Sequence, residues 1–251
     1  MAGPGDAEAV KVYNTGAEHF KKGQFDLAAE CFKKAAELDG KLYRAWAYLG
    51  MAYAQSGQLD PAIEAYRKCI DIAPDYHKAF NNVGELYRRK GQLDYAAMVF
   101  KMATEIAPTL PHYFYNLGIT YFEIGMYPQS EQAFAKAFEL DSNDHEYATE
   151  LAQVQFTQKK FDAAAATLET WIKDHPDSEK TPETRARLAM LRRLAEQQKA
   201  AQAQMGSHKS EIRSAALDEE EGETVEDENA QTKPDLPNAD PGQKGPGKPP
   251  K

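Results

Sequence analysis

The 251-residue sequence has little of what ties a chain to a membrane, a metal or a redox reaction. No run of about 18 or more apolar residues occurs, so no membrane-spanning helix and no membrane insertion are expected. Its opening, Met1-Ala2-Gly3-Pro4-Gly5-Asp6, has neither a basic nor an apolar stretch, and the expected location is the cytoplasm. Cysteine is scarce. Cys31 and Cys69 stand outside any CxxC or Cys/His spacing, and reduced, packed thiols are expected. No HExxH, GxSxG, GxGxxG or GxxxxGK(S/T) pattern is present, so nothing points to a metal, a nucleophilic serine or a phosphate cradle. No catalytic residue, cofactor or metal ligand is assigned, and the chain is expected not to be an enzyme. Positive charge is also short: 30 Lys and Arg against 39 Asp and Glu leave a formal net charge of −9. That balance argues against a nucleic-acid binder running on phosphate contacts.

What the sequence has in abundance is itself. At a shift of 34 residues Gly16, Gly50, Gly84 and Gly118 fall into register, and so do Gly23, Gly57, Gly91 and Gly125. Tyr53, Tyr87 and Tyr121 follow the first glycine row by three, and further rows contain Ala28, Ala62 and Ala96, then Phe32, Tyr66, Phe100 and Phe134. Pro74, Pro108 and Pro176 close their units. The units run 9–42, 43–76, 77–110, 111–144 and a degenerate fifth at 145–178, after a short lead at 1–8. A glycine inside a helix costs about 1 kcal/mol relative to alanine, so the first row implies a neighbouring helix too close for a side chain. The second row suits the left-handed residue that ends a helix. Phe25-Asp26, Leu59-Asp60, Leu93-Asp94 and Phe161-Asp162 then predict an Asp N-cap behind an apolar staple, with Pro61 at the first helical position.

Trp46-Ala47-Tyr48-Leu49-Gly50-Met51-Ala52-Tyr53, followed by Ala62, Tyr66 and Pro74, resembles the tetratricopeptide signature W-x2-L-G-x2-Y…A…F…P. The resemblance covers about 170 residues in five in-phase copies. It implies an all-α fold, a right-handed superhelical solenoid of helix-turn-helix repeats whose first helices line a concave groove. Several bacterial pilus-assembly lipoproteins are arrays of similar size, but no Cys precedes Cys31, which lies inside a repeat helix, so that likeness does not transfer.

The fifth unit departs from the pattern: Lys159 replaces the turn glycine, Gln155 the tyrosine, and Trp171 stands in a small-residue row where an indole is expected to push the next helix away. Terminal repeats are atypical because one face lacks a neighbour. A capping helix is expected over 179–205, with Leu188, Leu191, Leu194 and Ala195 as its apolar stripe. From 206 to 251 the acidic run Asp218–Glu223, then proline, glycine and lysine, predicts a disordered tail.

Asn14, Asn82 and Asn116 share one register in the first helices, with Tyr48 and Glu150 taking that place in the second and fifth units. Their amides are expected to form a ladder able to hold a peptide backbone. The arrangement is similar to the asparagine ladders of O-GlcNAc transferase and kinesin light chain, which bind extended peptides. Around it lie Tyr13, Arg44, Tyr48, Met51, Lys78, Asn81, Arg88, Tyr115 and Phe122, and aromatics with arginine are favoured interface anchors. The carboxylate clamp of heat-shock co-chaperones is missing, because its positions hold Tyr13 and Ala17. His77, His112 and His145 fall near the starts of successive units and are expected to be solvated. The resulting expectation is an adaptor or scaffold that binds a partner peptide or helix in the groove. The alternative is a self-assembling scaffold whose solenoid ends stack on other copies, motivated by Trp171 and the basic cap helix, or a non-catalytic subunit or chaperone of a larger complex.

Overall fold

The structure, a computed structural model, describes residues 4–222, which contain eleven α-helices and no strand. None of these helices is long and apolar enough to cross a membrane. Ten form five helix-turn-helix pairs: α1 Pro4–Lys21 with α2 Phe25–Leu38, α3 Tyr43–Gln55 with α4 Leu59–Ile72, α5 His77–Arg89 with α6 Leu93–Ile106, α7 Pro111–Ile124 with α8 Tyr127–Leu140, and α9 His145–Thr157 with α10 Phe161–Asp174. Each helix packs chiefly on the one before and the one after it. α11, Thr181–Gly222, follows. The chain is a tetratricopeptide solenoid. Its compact unit ends at Lys199, and the described residues after it, Ala200–Gly222, are helical and belong to a second unit.

The turns are fixed by backbone conformation. Gly23, Gly57, Gly91 and Gly125 have φ of 73°, 80°, 71° and 87°, the left-handed region open to glycine. In each turn the residue after the glycine donates its N–H to the carbonyl five residues back, for instance Gln58 to Tyr53 at 2.8 Å and Gln92 to Tyr87 at 2.9 Å, which closes the helix end. Lys159 adopts the same conformation with φ 59°, and Lys160 donates to Gln155 at 2.9 Å. A side chain in this region costs about 1–2 kcal/mol, against about 0.4–1 kcal/mol lost when glycine loosens the unfolded chain. Lys159→Gly is therefore expected to stabilise the array by about 0.5–1 kcal/mol, read as a later urea midpoint.

The aspartates do not cap. Asp26, Asp60, Asp94 and Asp162 are the second residues of their helices, while the N-cap positions are Gln24, Gln58, Gln92 and Lys160, without a side-chain cap bond. The tight turn leaves one residue between the glycine and the helix, so the apolar residue is already helical. The carboxylate instead lies in the first turn, where the helix dipole favours it. Pro61 is the third helical residue, and its missing N–H is still one of the four without an intrahelical partner. A side-chain cap does form at Asp144, which accepts from the Glu146 N–H at 2.8 Å.

The helical glycines make room for a ring rather than for a backbone. A Cβ on Gly50, Gly84 or Gly118 would lie 2.8, 2.8 or 2.7 Å from the ring of Tyr66, Phe100 or Phe134 on the second helix of the same pair. In the fifth pair both partners change together: Ala152 stands in the glycine row and Leu168 in the aromatic row, each fully buried.

Three further expectations are corrected. Helix α1 begins at Pro4, so residues 4–8 belong to it and not to a lead. Trp171 is buried between the edge of His145 at 4.5 Å and the stacked ring of His175 at 4.7 Å, so it does not form an open end face. The capping helix runs past residue 205, because no proline interrupts 183–222, and the single Gly206 costs too little to stop a stretch rich in strong helix formers. Leu188 and Leu191 pack with Ala152, Ala164 and Leu168. The rest of the expected tail, 223–251, lies outside the described residues.

Candidate functional site in the groove of the first helices

Between α3, α5 and α7 lies a cavity of about 280 Å³, and five residues of the expected groove line it: Tyr48, Met51, Lys78, Asn81 and Asn82. Register explains why they converge, since Tyr48 and Asn82 occupy one position 34 residues apart on facing helices. The other walls are Ala47, Tyr76, His112 and Tyr113. Sequence reasoning missed these because Tyr76, His112 and Tyr113 belong to the boundary between units, where a helix start reaches over its neighbour. The signal available was the aromatic residue at the edge of each unit.

The asparagines are stitched into the array. Asn82 donates through Nδ2 to the buried Tyr66 hydroxyl at 2.9 Å, and Asn116 donates to Oδ1 of Asn81 at 2.9 Å, across two units. Their amide donors thus brace the helices, leaving carbonyl oxygens on the Asn82 and Asn116 side chains. Asn14 is exposed on α1 and does not line the cavity. Tyr13 stands edge-on to Tyr48 at 5.5 Å. Tyr115 donates to Glu146 at 2.6 Å and Phe122 packs on Tyr127 at 5.4 Å, so both serve the fourth and fifth pairs and not the cavity.

The cations divide sharply. Arg88 grips both carboxylate oxygens of Glu85 at 3.1 Å and also reaches Glu123 at 3.0 Å, so its charge is satisfied. Arg44 is exposed and donates to the Tyr43 hydroxyl at 3.3 Å. Lys78 is exposed on the cavity rim and forms no ion pair among the described residues. Burial pushes the Tyr113 phenol up to about 12 and raises that of Tyr76, so both walls stay neutral donors. Burial and the neighbouring His77 hold His112 below the usual histidine range, hence uncharged near neutral pH. No acidic residue lines the cavity, so Lys78 supplies its charge.

The unit-start histidines are not simply solvated. His77 Nδ1 meets the Tyr113 hydroxyl at 2.6 Å, and His145 Nε2 meets Thr184 of α11 at 2.9 Å, each a link to a later helix. Among the described residues no group of three His, Cys, Asp or Glu is placed to hold a metal.

No curated protein sequence matches the chain. Among solved structures, MamA from Desulfovibrio magneticus RS-1 superposes with a TM-score of 0.62 at 19% identity, covering 71% of this chain and 99% of its own. PilF of Pseudomonas aeruginosa gives 0.59 at 20% identity over 76% of this chain and 88% of its own. YrrB, described as a TPR protein with an unusual peptide-binding site, gives 0.58 at 17% identity, over 71% and 92%. These likenesses establish the fold. Residues 7–173, the five helix pairs almost end to end, match the model of the family described as the cilia and flagella-associated protein 70 C-terminal domain, and to that tetratricopeptide family the chain belongs.

Proposed function

We propose that the chain is a protein-interaction adaptor that holds a segment of a partner protein against α3, α5 and α7, without catalysis of its own. The observation that carries this reading is the cavity among three successive first helices, walled by tyrosines and Met51 and rimmed by Lys78, which has no ion pair among the described residues. Rigid aromatic walls with a few placed polar groups are what peptide anchoring needs. YrrB, of similar fold, is described as having a peptide-binding site, which supports the same use here. Self-assembly through an exposed Trp171 has no support, since the indole is enclosed.

The test is comparative affinity purification with quantitative mass spectrometry, using the full chain and Lys78→Glu/His112→Glu. Both side chains are exposed, so the fold should survive, and an unchanged melting temperature checks that. Partners held in the groove should be recovered about tenfold less well by the variant, a loss of about 1.4 kcal/mol. Equal recovery of every partner would overturn the groove reading.

A further inference from the structure

Helix α6 carries an apolar stripe that is continuous through its centre, where the other second helices are polar or small; α2 has exposed Leu27 and Leu38 only at the two ends of the same face. Tyr95, Met98, Met102 and Ile106 are 56%, 56%, 42% and 36% exposed. Their spacing of three, four and four residues keeps them on one face of the helix. The repeat supplies its own control. In the register of Met98 and Met102 the first unit has Glu30 and Lys34, the second Glu64 and Lys68, and the fourth Gln132 and Lys136. A solvent-facing helix ordinarily carries such pairs one turn apart. The third pair has replaced them with two thioethers, which favour adaptable apolar contact.

We propose that this stripe is a two-fold homodimer interface, α6 of one copy lying antiparallel on α6 of a second copy. Two observations commit it to that occupant. The stripe is close to palindromic: Met98 and Met102 at the centre, a bulky Tyr95 at one end and Ile106 at the other, so a reversed copy sets Met98 against Met102 and Tyr95 against Ile106. Second, α6 belongs to the third of five pairs, and a self-complementary patch there closes into a dimer, whereas a complementary pair of end faces would propagate a filament.

The size is adequate. The four side chains expose on the order of 400 Å² per copy, at the level where a monomer's largest apolar patch is usually functional. Two such stripes with their rims bury on the order of 1,000 Å², the lower edge of specific interfaces. Beside Tyr95 an open cleft of about 730 Å³ between α4 and α6, lined by Ile63 and Tyr87 and by the charged Asp60, Glu64, Arg67 and Lys90, leaves room for the polar rim of the second copy. The ring of Tyr95 is already held there, stacked on Tyr87 at 5.5 Å.

Sedimentation equilibrium of the full chain from about 1 to about 200 µM should show the average mass rise from one copy towards two, as an interface of this size gives. Met98→Glu/Met102→Lys, which installs the pair found in the first two units, should weaken association at least about tenfold while leaving the thermal unfolding curve in place. The groove variant Lys78→Glu/His112→Glu should dimerise like the wild type, so this inference and the groove reading fail separately. A wild type that stays monomeric across the range overturns the proposal and leaves the stripe to another protein's helix. A Met98→Glu/Met102→Lys variant that still dimerises overturns it in favour of another surface.

Discussion

Gly118→Ala is expected to destabilise the array by about 2 kcal/mol, although alanine is the better helix former by about 1 kcal/mol. The added methyl would lie 2.7 Å from the ring of Phe134, which is 1% exposed and has nowhere to retreat. In a chain of this size the melting temperature should fall by about 4–8 °C. The fifth pair indicates the remedy, because there Ala152 meets Leu168 instead of glycine meeting an aromatic ring. Gly118→Ala/Phe134→Leu should therefore be more stable than the sum of its single changes predicts, and a double-mutant cycle measures that coupling. Gly206→Ala is the contrast: nothing lies within 4 Å of its Cβ position, so the propensity gain should appear undiminished as added helix. If Gly118→Ala raised the melting temperature, the ring contact would not be the reason for the glycine row.

Leu191→Ala should cost about 3 kcal/mol, the range of large cavities in a close-packed core. Leu191 is fully buried against Ala164 and Leu168, so the loss falls where α11 meets the last repeat. Met205→Ala, on the same helix but at a residue 73% exposed, should be silent within about 0.5 kcal/mol. Chemical denaturation of both variants decides whether α11 is part of the array's core. A silent Leu191→Ala would mean that the solenoid ends at α10 in energetic terms.

The fold was legible because every 34-residue row has a local cause: a φ that glycine adopts, a ring that glycine admits, a proline between pairs. Helix starts were less so, since an apolar residue followed by Asp looks the same whether the Asp caps the helix or sits in its first turn. Only the length of the turn distinguishes the two, and that length depends on the bond from Gln58 to Tyr53 and its counterparts. Within the groove, register alone brought Tyr48, Met51, Lys78, Asn81 and Asn82 to one cavity. The engagement of Arg88 escaped notice because Glu123 is 35 residues away, and Asn116 looked free because its acceptor, Asn81, belongs to the previous unit. The α6 stripe was present in the sequence too, but a row of rings and small residues draws attention to what repeats. Met98 and Met102 matter because they do not.

Several of the polar links between pairs span about one repeat. Arg88 to Glu123, Asn116 to Asn81, His77 to Tyr113 and Lys160 to Glu131 bridge 35, 35, 36 and 29 residues, each joining one pair to the next. Cohesion of that kind passes from neighbour to neighbour. In an array held together in this way the joints between pairs are where it is expected to bend or open. A segment laid across α3, α5 and α7, as proposed, would cross two of those joints and act on the chain as a splint.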